Sequence, residues 1–469
     1  MKTKTLAGLA TLAALFATTA FAASPAKIAP TTVDPALHEQ ALALLKAGIA
    51  FRTVQPGNQV PVYAAYLKDI LVKAGYRPDE ITIEPAAGSA FLIARYPGTD
   101  PKRKPIVISG HMDVVAANPA DWTRDPFTPV VENGWIYGRG AVDDKFDVSM
   151  VVAVLAKLRR EGWKPGRDLV LALSGDEETQ MATTAVLAQR LKTAELVLNT
   201  DGGGGGFKDG KPTPYGIQGA EKTYADFTVE ATDPGGHSSR PTPTNAIYRL
   251  AKALDRIAAY SFPTMQNEIT KAMFAAEGAQ TPGPVGEAMT RFAANSSDQA
   301  AVDTLSADVG INPSLRTTCV ATMLSGGHAP NALPQKASAT VNCRIFPGTP
   351  ADSVRKTLAA MIADLNVTVT RQDDGSIDSP ASPLRPDVVA AVTKAVHARY
   401  PGLKIVPGQD NGASDSMYFR SLGIPSYGVS GLIMEDGQSF IHGLNEKAPV
   451  AAIDGDLAHW ESLLKDLLK

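Results

Sequence analysis

The stretch Ile106-Val107-Ile108-Ser109-Gly110-His111-Met112-Asp113 decides the fold of this 469-residue chain. A short β-branched apolar run breaks at a glycine and delivers a histidine. Such a run suits a strand buried on both faces of a parallel sheet, and open α/β sheets bind ligands beyond the carboxyl ends of their strands. His111 stands at that end. Two residues on, the Asp113 side chain is placed to accept the proton of the other ring nitrogen and fix the orientation of the ring. Alone, His-x-Asp after a strand is a weak signal, and a hydrogen-bonded structural histidine explains it as well. The downstream sequence changes that balance.

After a β-excursion over 122–137 with an Asn133-Gly134 turn, the chain reads Gly138-Arg139-Gly140-Ala141-Val142-Asp143-Asp144-Lys145, and helical apolar spacing follows from Val148 to Leu158. Capping that helix needs one aspartate, so the second is informative. The apolar strand Leu169 to Leu173 then ends in Ser174-Gly175-Asp176-Glu177-Glu178, and the strand Glu195 to Asn199 ends in Asp201 followed by five glycines. Carboxylates straight after buried strands are costly unless neutralised. Three strands thus end in His111, in Glu177-Glu178 and in Asp201, along one edge of one sheet.

Around this unit, Asp34-Pro35 starts a helix to about Ile49 and a second helix runs from about Val60 to Ala74. Strands are expected at Ile81–Glu84 and Phe91–Tyr96. From Gly219 the texture changes. The strand Tyr224–Ala231, the Gly235-Gly236-His237-Ser238-Ser239 turn, a helix over Asn245–Ala259, two strands at Thr317–Leu324 and Ala337–Phe346, a helix near Asp352–Leu365 and the strand Val367–Arg371 form an α+β unit. Residues 260–312 read as an irregular helical insertion of low functional content. The expected organisation is a leader over 1–22, a first catalytic segment over 25–217, a lid or dimerisation domain over 218–376, and a second catalytic segment over 377–469. The fold class is α/β, a mixed, mostly parallel sheet flanked by helices with an inserted α+β lid.

Composition narrows the function. Lys2 and Lys4 precede an apolar stretch from Leu6 to Ala20 that ends in Ala20-Phe21-Ala22, the pattern of a cleaved secretory signal. The expected location is therefore the periplasm or the cell exterior, with no membrane partner after cleavage. Formal net charge is −3, which gives no footprint for nucleic acid and leaves a small molecule as the partner. Cys319 and Cys343 are the only cysteines, wrongly spaced for a thiolate zinc site. They lie on consecutive lid strands, where a disulfide and a pair of adjacent thiols both fit.

His111, Asp143, Glu177, Glu178, Asp201 and His442, the last in His442-Gly443-Leu444-Asn445-Glu446, form a nitrogen and oxygen set matched to divalent metals, zinc above all. With these motifs the sequence resembles, over nearly its whole length, the co-catalytic di-zinc exopeptidase family of the aminoacylases, carnosine dipeptidase, acetylornithine deacetylase and glutamate carboxypeptidase, and within it the Gly-X carboxypeptidase branch. The resemblance implies two divalent metal ions, with His111 and Asp201 on one, Glu178 and His442 on the other, and Asp143 bridging. It implies Glu177 as general base, a cis bond between Asp143 and Asp144, and His237 as an oxyanion donor reaching over from a second subunit, hence a homodimer through the lid. Substrate positions carried over are Asn331 and Arg344, and the turn of Gly412 can offer backbone donors beside them; for Arg344 the competing reading is an ion pair with a lid carboxylate. Arg139 and Lys145 read as structural ties of the acidic loop.

Phe146 stands where the family has glycine, and Thr179-Gln180 replaces a small turn, so the pocket wall departs from the pattern while the ligands do not. His38, His328, His397 and His459 read as non-catalytic. The expected activity is hydrolysis of the amide next to a free C-terminal carboxylate. Its alternative is an N-acyl-amino-acid deacylase using the same site, and a metal-free binding homologue is disfavoured because no ligand is missing.

Overall fold

A computed structural model describes residues 31, 33–55, 59–373 and 375–469; the expected leader over 1–22 lies outside them. Among the described residues no helix is long and apolar enough to cross a membrane.

The Ile106–His111 strand is buried at every position. It lies between Leu169–Ser174 and Leu196–Asn199, parallel to both, in an eight-stranded sheet. Register sets His111 opposite Ser174 and Ser109 opposite Asn199, so the segments carrying Glu177-Glu178 and Asp201 leave the sheet beside His111. The order continues through Ser426–Gly428 and Tyr215–Glu221 to Ile405–Asp410 on one side, and through Ser89–Tyr96 to Ile81–Ala86 on the other. Four of the seven pairings are parallel. Helices Pro35–Ala50, Val60–Lys73, Lys145–Arg160, Pro386–Arg399 and Ile453–Leu467 bury their apolar positions with the sheet in one core. Asp34 caps the first of them, its Oδ1 accepting from the Ala36 N–H at 3.0 Å.

Two strands of this sheet escape the sequence reading. Tyr215–Glu221 and Ile405–Asp410 contain glycine or proline inside the run, residues that argue against a strand when neighbours are unknown. The expected lid start at 218 falls inside the first of them, a strand of the large sheet.

A four-stranded sheet, in the order Thr318–Gly326, Lys336–Ile345, Thr223–Thr232, Val367–Arg371, forms the second unit. Helices Ala246–Ala259 and Ala351–Ile362 close its core. Cys319 and Cys343 are opposite one another in the ladder and form a disulfide. The 260–312 region is helical, as expected. It holds helices Glu268–Gly278, Pro284–Ala294 and Gln299–Ser306, whose apolar faces bury Val406 of the large sheet's edge strand. It covers an edge that would otherwise be exposed.

Candidate metal centre

Gly110 is where the strand makes room for the site. A Cβ there would stand 2.2 Å from Thr200 Oγ1 and 2.6 Å from Asp144 Oδ2. In that space the Asp144 carboxylate accepts from the His111 backbone N–H at 3.1 Å and from Thr200 Oγ1 at 2.6 Å. Asp144 stands at the N-cap of the Lys145–Arg160 helix without capping it, because its side chain serves the strand. The Asp143–Asp144 peptide bond is cis.

His111 is buried, with Nδ1 3.1 Å from the Asp113 backbone carbonyl and Nε2 2.9 Å from Asp143 Oδ1. The carbonyl accepts from Nδ1, which leaves Nε2 facing Asp143. Here the structure corrects the expectation for Asp113. Its carboxylate is 3.7 Å from Nδ1, too long for a hydrogen bond, and accepts instead from the backbone N–H groups of Glu177 at 3.0 Å and Glu178 at 3.1 Å. Asp113 orients the ring through its main chain and the Glu177-Glu178 turn through its side chain.

The other Asp143 oxygen faces His442, whose Nε2 is 3.0 Å from Asp143 Oδ2 and 3.0 Å from Glu178 Oε1. His442 adopts a φ of +59°, a left-handed conformation uncommon outside glycine and seen where a site over-determines the backbone. What fixes its loop is Glu446, a residue of the quoted motif to which the sequence reading gave no role. The buried Glu446 carboxylate accepts from Arg139 Nη1 at 2.6 Å and from the N–H groups of Gly140, Val142 and Asp143 at 3.0, 2.9 and 3.2 Å. One side chain thus ties the His442 loop to the Asp143 loop. Arg139 is structural, as expected, and so is Lys145, whose buried Nζ donates to the Gly48 and Phe51 carbonyls at 2.9 and 3.0 Å.

Ligand-capable atoms of His111, Glu177 and Asp201 lie within 4.8 Å of one another, as do those of His111, Asp143 and Glu178. Electrostatics expresses the crowding. Burial, then the Asp143 carboxylate, holds Asp201 well above the usual carboxylate range. Burial does the same to Glu177, with Asp201, Asp415 and Glu178 adding to it against His111. Hydrogen bonds to Asp143 and Glu178 raise His442 to about 10. For His111 burial acts downward, but Asp113 and Asp143 together outweigh it and hold the ring well above its ordinary value. Four carboxylates converge on two imidazoles, and a donor set of this kind fits divalent cations. Asp415, missed in the sequence, belongs to this neighbourhood: buried, it accepts from Ser174 Oγ at 2.7 Å and from Thr184 Oγ1.

The remaining expected residues lie at the Gly236–His237 and Ala332–Leu333 pair, on the Lys336–Ile345 strand and on the 410–415 segment. Gly236–His237 pairs with Ala332–Leu333, and the Ser238 N–H donates to the Asn331 carbonyl at 3.0 Å, so His237 and Asn331 are neighbours. His237 is exposed, its Nδ1 2.8 Å from Ser239 Oγ, and no hydrogen bond or ion pair among the described residues joins it to the His111 cluster. Arg344 stacks on Tyr224, 4.7 Å from the ring centre, and Nη1 donates to the Asn411 carbonyl at 3.1 Å. That bond carries a lid cation to the chain segment of Gly412.

Residues 107–466 match the profile described as Peptidase family M20/M25/M40. The N-fatty-acyl-amino acid synthase/hydrolase PM20D1 of Xenopus tropicalis is 28% identical over 368 residues, covering 76% of this chain and 71% of that protein. A probable carboxypeptidase S-like 2 of Dictyostelium discoideum is 24% identical over 381 residues, covering 76% and 71%. Among solved structures, the M20 family metallo-carboxypeptidase Sso-CP2 from Sulfolobus solfataricus superposes with a TM-score of 0.70 at 19% identity, covering 91% of this chain and 99% of that one.

Proposed function

The chain belongs to peptidase family M20/M25/M40, and from that premise we propose that it is an exported, zinc-dependent exopeptidase that hydrolyses the amide bond next to a free C-terminal carboxylate. The observation that carries the reading is Asp143, with Oδ1 on His111 and Oδ2 on His442 at 2.9 and 3.0 Å. A carboxylate turned to two imidazoles in this way suits a ligand shared between two ions, His111 and Asp201 serving one and Glu178 and His442 the other. Such ions supply polarisation of a carbonyl and acidification of water.

The chain's own groups do the rest. Glu177, its backbone pinned by Asp113, takes a proton from the attacking water and returns it to the leaving amine nitrogen. Arg344 receives the substrate carboxylate by exchanging its bond to the Asn411 carbonyl for a bidentate pair, with Asn331 and the Gly412 backbone beside it. His237, exposed on its own chain, donates to the oxyanion of a second copy. The lid edge strand Thr318–Gly326, with Val320, Met323 and Leu324 exposed, is the surface through which two copies pair. On this reading the lid follows the Tyr215–Glu221 strand and resumes the large sheet before Pro386–Arg399.

A second reading, hydrolysis of N-acyl amino acids, is favoured by the likeness to the PM20D1 proteins and places the same carboxylate on Arg344. Zinc-loaded protein assayed on one good dipeptide, its C-terminal amide and the matching N-acyl amino acid tests both. Loss of the carboxylate should cost at least tenfold in kcat/KM, since a charge-assisted hydrogen bond is worth about 1.5 to 3 kcal/mol. Equal hydrolysis of acid and amide would overturn the carboxylate reading and point to an aminopeptidase.

A further inference from the structure

A cavity of about 350 Å3 opens beside the metal centre, with Asp143 and Asp201 in its wall. From Asp201 the wall follows the glycine run to Gly205, where the Gly205–Lys208 strand pairs in parallel with Ile433–Glu435. Glu435 and Asp436 line the cavity at its rim, where Asp436 is exposed and Glu435 Oε1 accepts from the Asp209 backbone N–H at 3.1 Å; a Cβ on Gly206, beside the lining, would stand 2.2 Å from Asp436 Oδ1. The glycine is what leaves room for the carboxylate. Val142, Leu432, Met434 and Ile441 give the same cavity apolar sides, and no lysine, arginine or histidine side chain lines it. Its buried polar lining is already satisfied, since Asp147 accepts from Ser430 Oγ at 2.7 Å and Trp460 Nε1 at 2.9 Å.

We infer that this cavity receives the residue on the amino side of the scissile amide and selects a long basic side chain, lysine or arginine, over an apolar chain of the same length. The inference rests on the exopeptidase reading and adds the substrate class. With the scissile carbonyl at the ions that Asp143 and Asp201 would hold and the carboxylate at Arg344, the amino-side residue is the part of a substrate left to fill a space that begins at those two residues. Aliphatic methylenes of lysine lie against the apolar sides while the ammonium reaches the carboxylates. An acyl chain would meet Glu435 and Asp436 with hydrocarbon and strip their water without replacing it. The cavity therefore separates the two readings of the preceding section in favour of peptides.

The test compares Lys-Gly, norleucine-Gly and N-lauroyl-glycine as substrates of the zinc-loaded full chain. The expected result is at least a tenfold preference in kcat/KM for Lys-Gly over norleucine-Gly, with N-lauroyl-glycine poorest. Asp436→Asn combined with Glu435→Gln should bring the lysine-to-norleucine ratio close to one, and Asp436→Lys should turn the preference toward Glu-Gly. Calorimetric titration with lysinamide against norleucinamide reads the same discrimination without turnover, and an unchanged unfolding midpoint confirms that the variants fold. Hydrolysis of peptides with a ratio near one, or a ratio the variants do not move, overturns the inference and leaves the exopeptidase reading standing. Preference for N-lauroyl-glycine overturns it in favour of an acyl pocket. Failure to cleave any of the three removes the exopeptidase reading itself.

Discussion

Replacing Asp113 by asparagine tests how the Glu177-Glu178 turn is held. The buried Asp113 carboxylate spends one oxygen on the Glu177 N–H at 3.0 Å and the other on the Glu178 N–H at 3.1 Å. Hydrogen bonds to a charged group contribute about 1.5 to 3 kcal/mol each. Asparagine keeps one acceptor and sets its own N–H2 against the second backbone N–H, so one bond is lost and a buried donor is stranded. Asp113→Asn should therefore cost about 3 kcal/mol of stability, a large share of the ~5 to 15 kcal/mol typical of folded domains. The turn it releases carries the proposed base and a proposed ligand, and a displacement of about 1 Å at such a place costs on the order of 100-fold in rate. Urea unfolding and steady-state kinetics read the two effects, with kcat falling and KM little changed. Wild-type stability together with wild-type kcat would refute the reasoning. Full recovery of rate in excess zinc would refute it differently, by assigning the carboxylate to His111 and metal retention.

Glu177→Gln should abolish turnover and keep the metal, whereas Glu178→Gln should lose metal; zinc analysis and rates of both variants check the split, and equal metal loss would sink it. Cys319 and Cys343 close a loop with a sequence separation of 24, so replacing both by serine should destabilise the lid by about 3 kcal/mol. Thiol titration of the unreduced, denatured protein should find none free, and two free thiols would rule out the bridge. Burial pushes His459 down to about 4, although its Nε2 donates to the Val429 carbonyl at 3.0 Å. Unfolded histidine titrates near ~6.5, so between these values the unfolded chain binds the extra proton and stability falls as pH falls, by about 3 kcal/mol over the window. His459→Gln should be less sensitive to acid than the parent between pH ~4 and ~6.5, and parallel losses in the two proteins would show that another group sets the slope.

Much of the fold could be read locally because the elements that build the site are locally consistent. The Ile106 run, the apolar strands ending before Glu177 and Asp201, and the Asp34-Pro35 helix start each carry their own signal, and the structure finds them within a few residues of the expected bounds. Tyr215–Glu221 and Ile405–Asp410 could not be read this way, because their glycines and proline are tolerated through pairing with partners distant in the chain.

Residue types and local pattern supplied the candidates: His111, Glu177, Glu178 and Asp201 follow apolar strand runs, Asp143 precedes a helical run, and His442 stands in a loop with a motif of its own. Tertiary structure decided what those groups touch. It gave the Asp113 carboxylate to two backbone N–H groups in place of a histidine, brought Glu446 across more than three hundred residues to hold the Asp143 loop, and set Asp415 against Ser174. It left His237 exposed, with its ring on Ser239. The physical reason is range. Strand and helix signals are written in neighbouring residues, whereas a buried carboxylate takes whichever donor the packed fold leaves within about 3 Å, and that donor has no fixed distance along the chain.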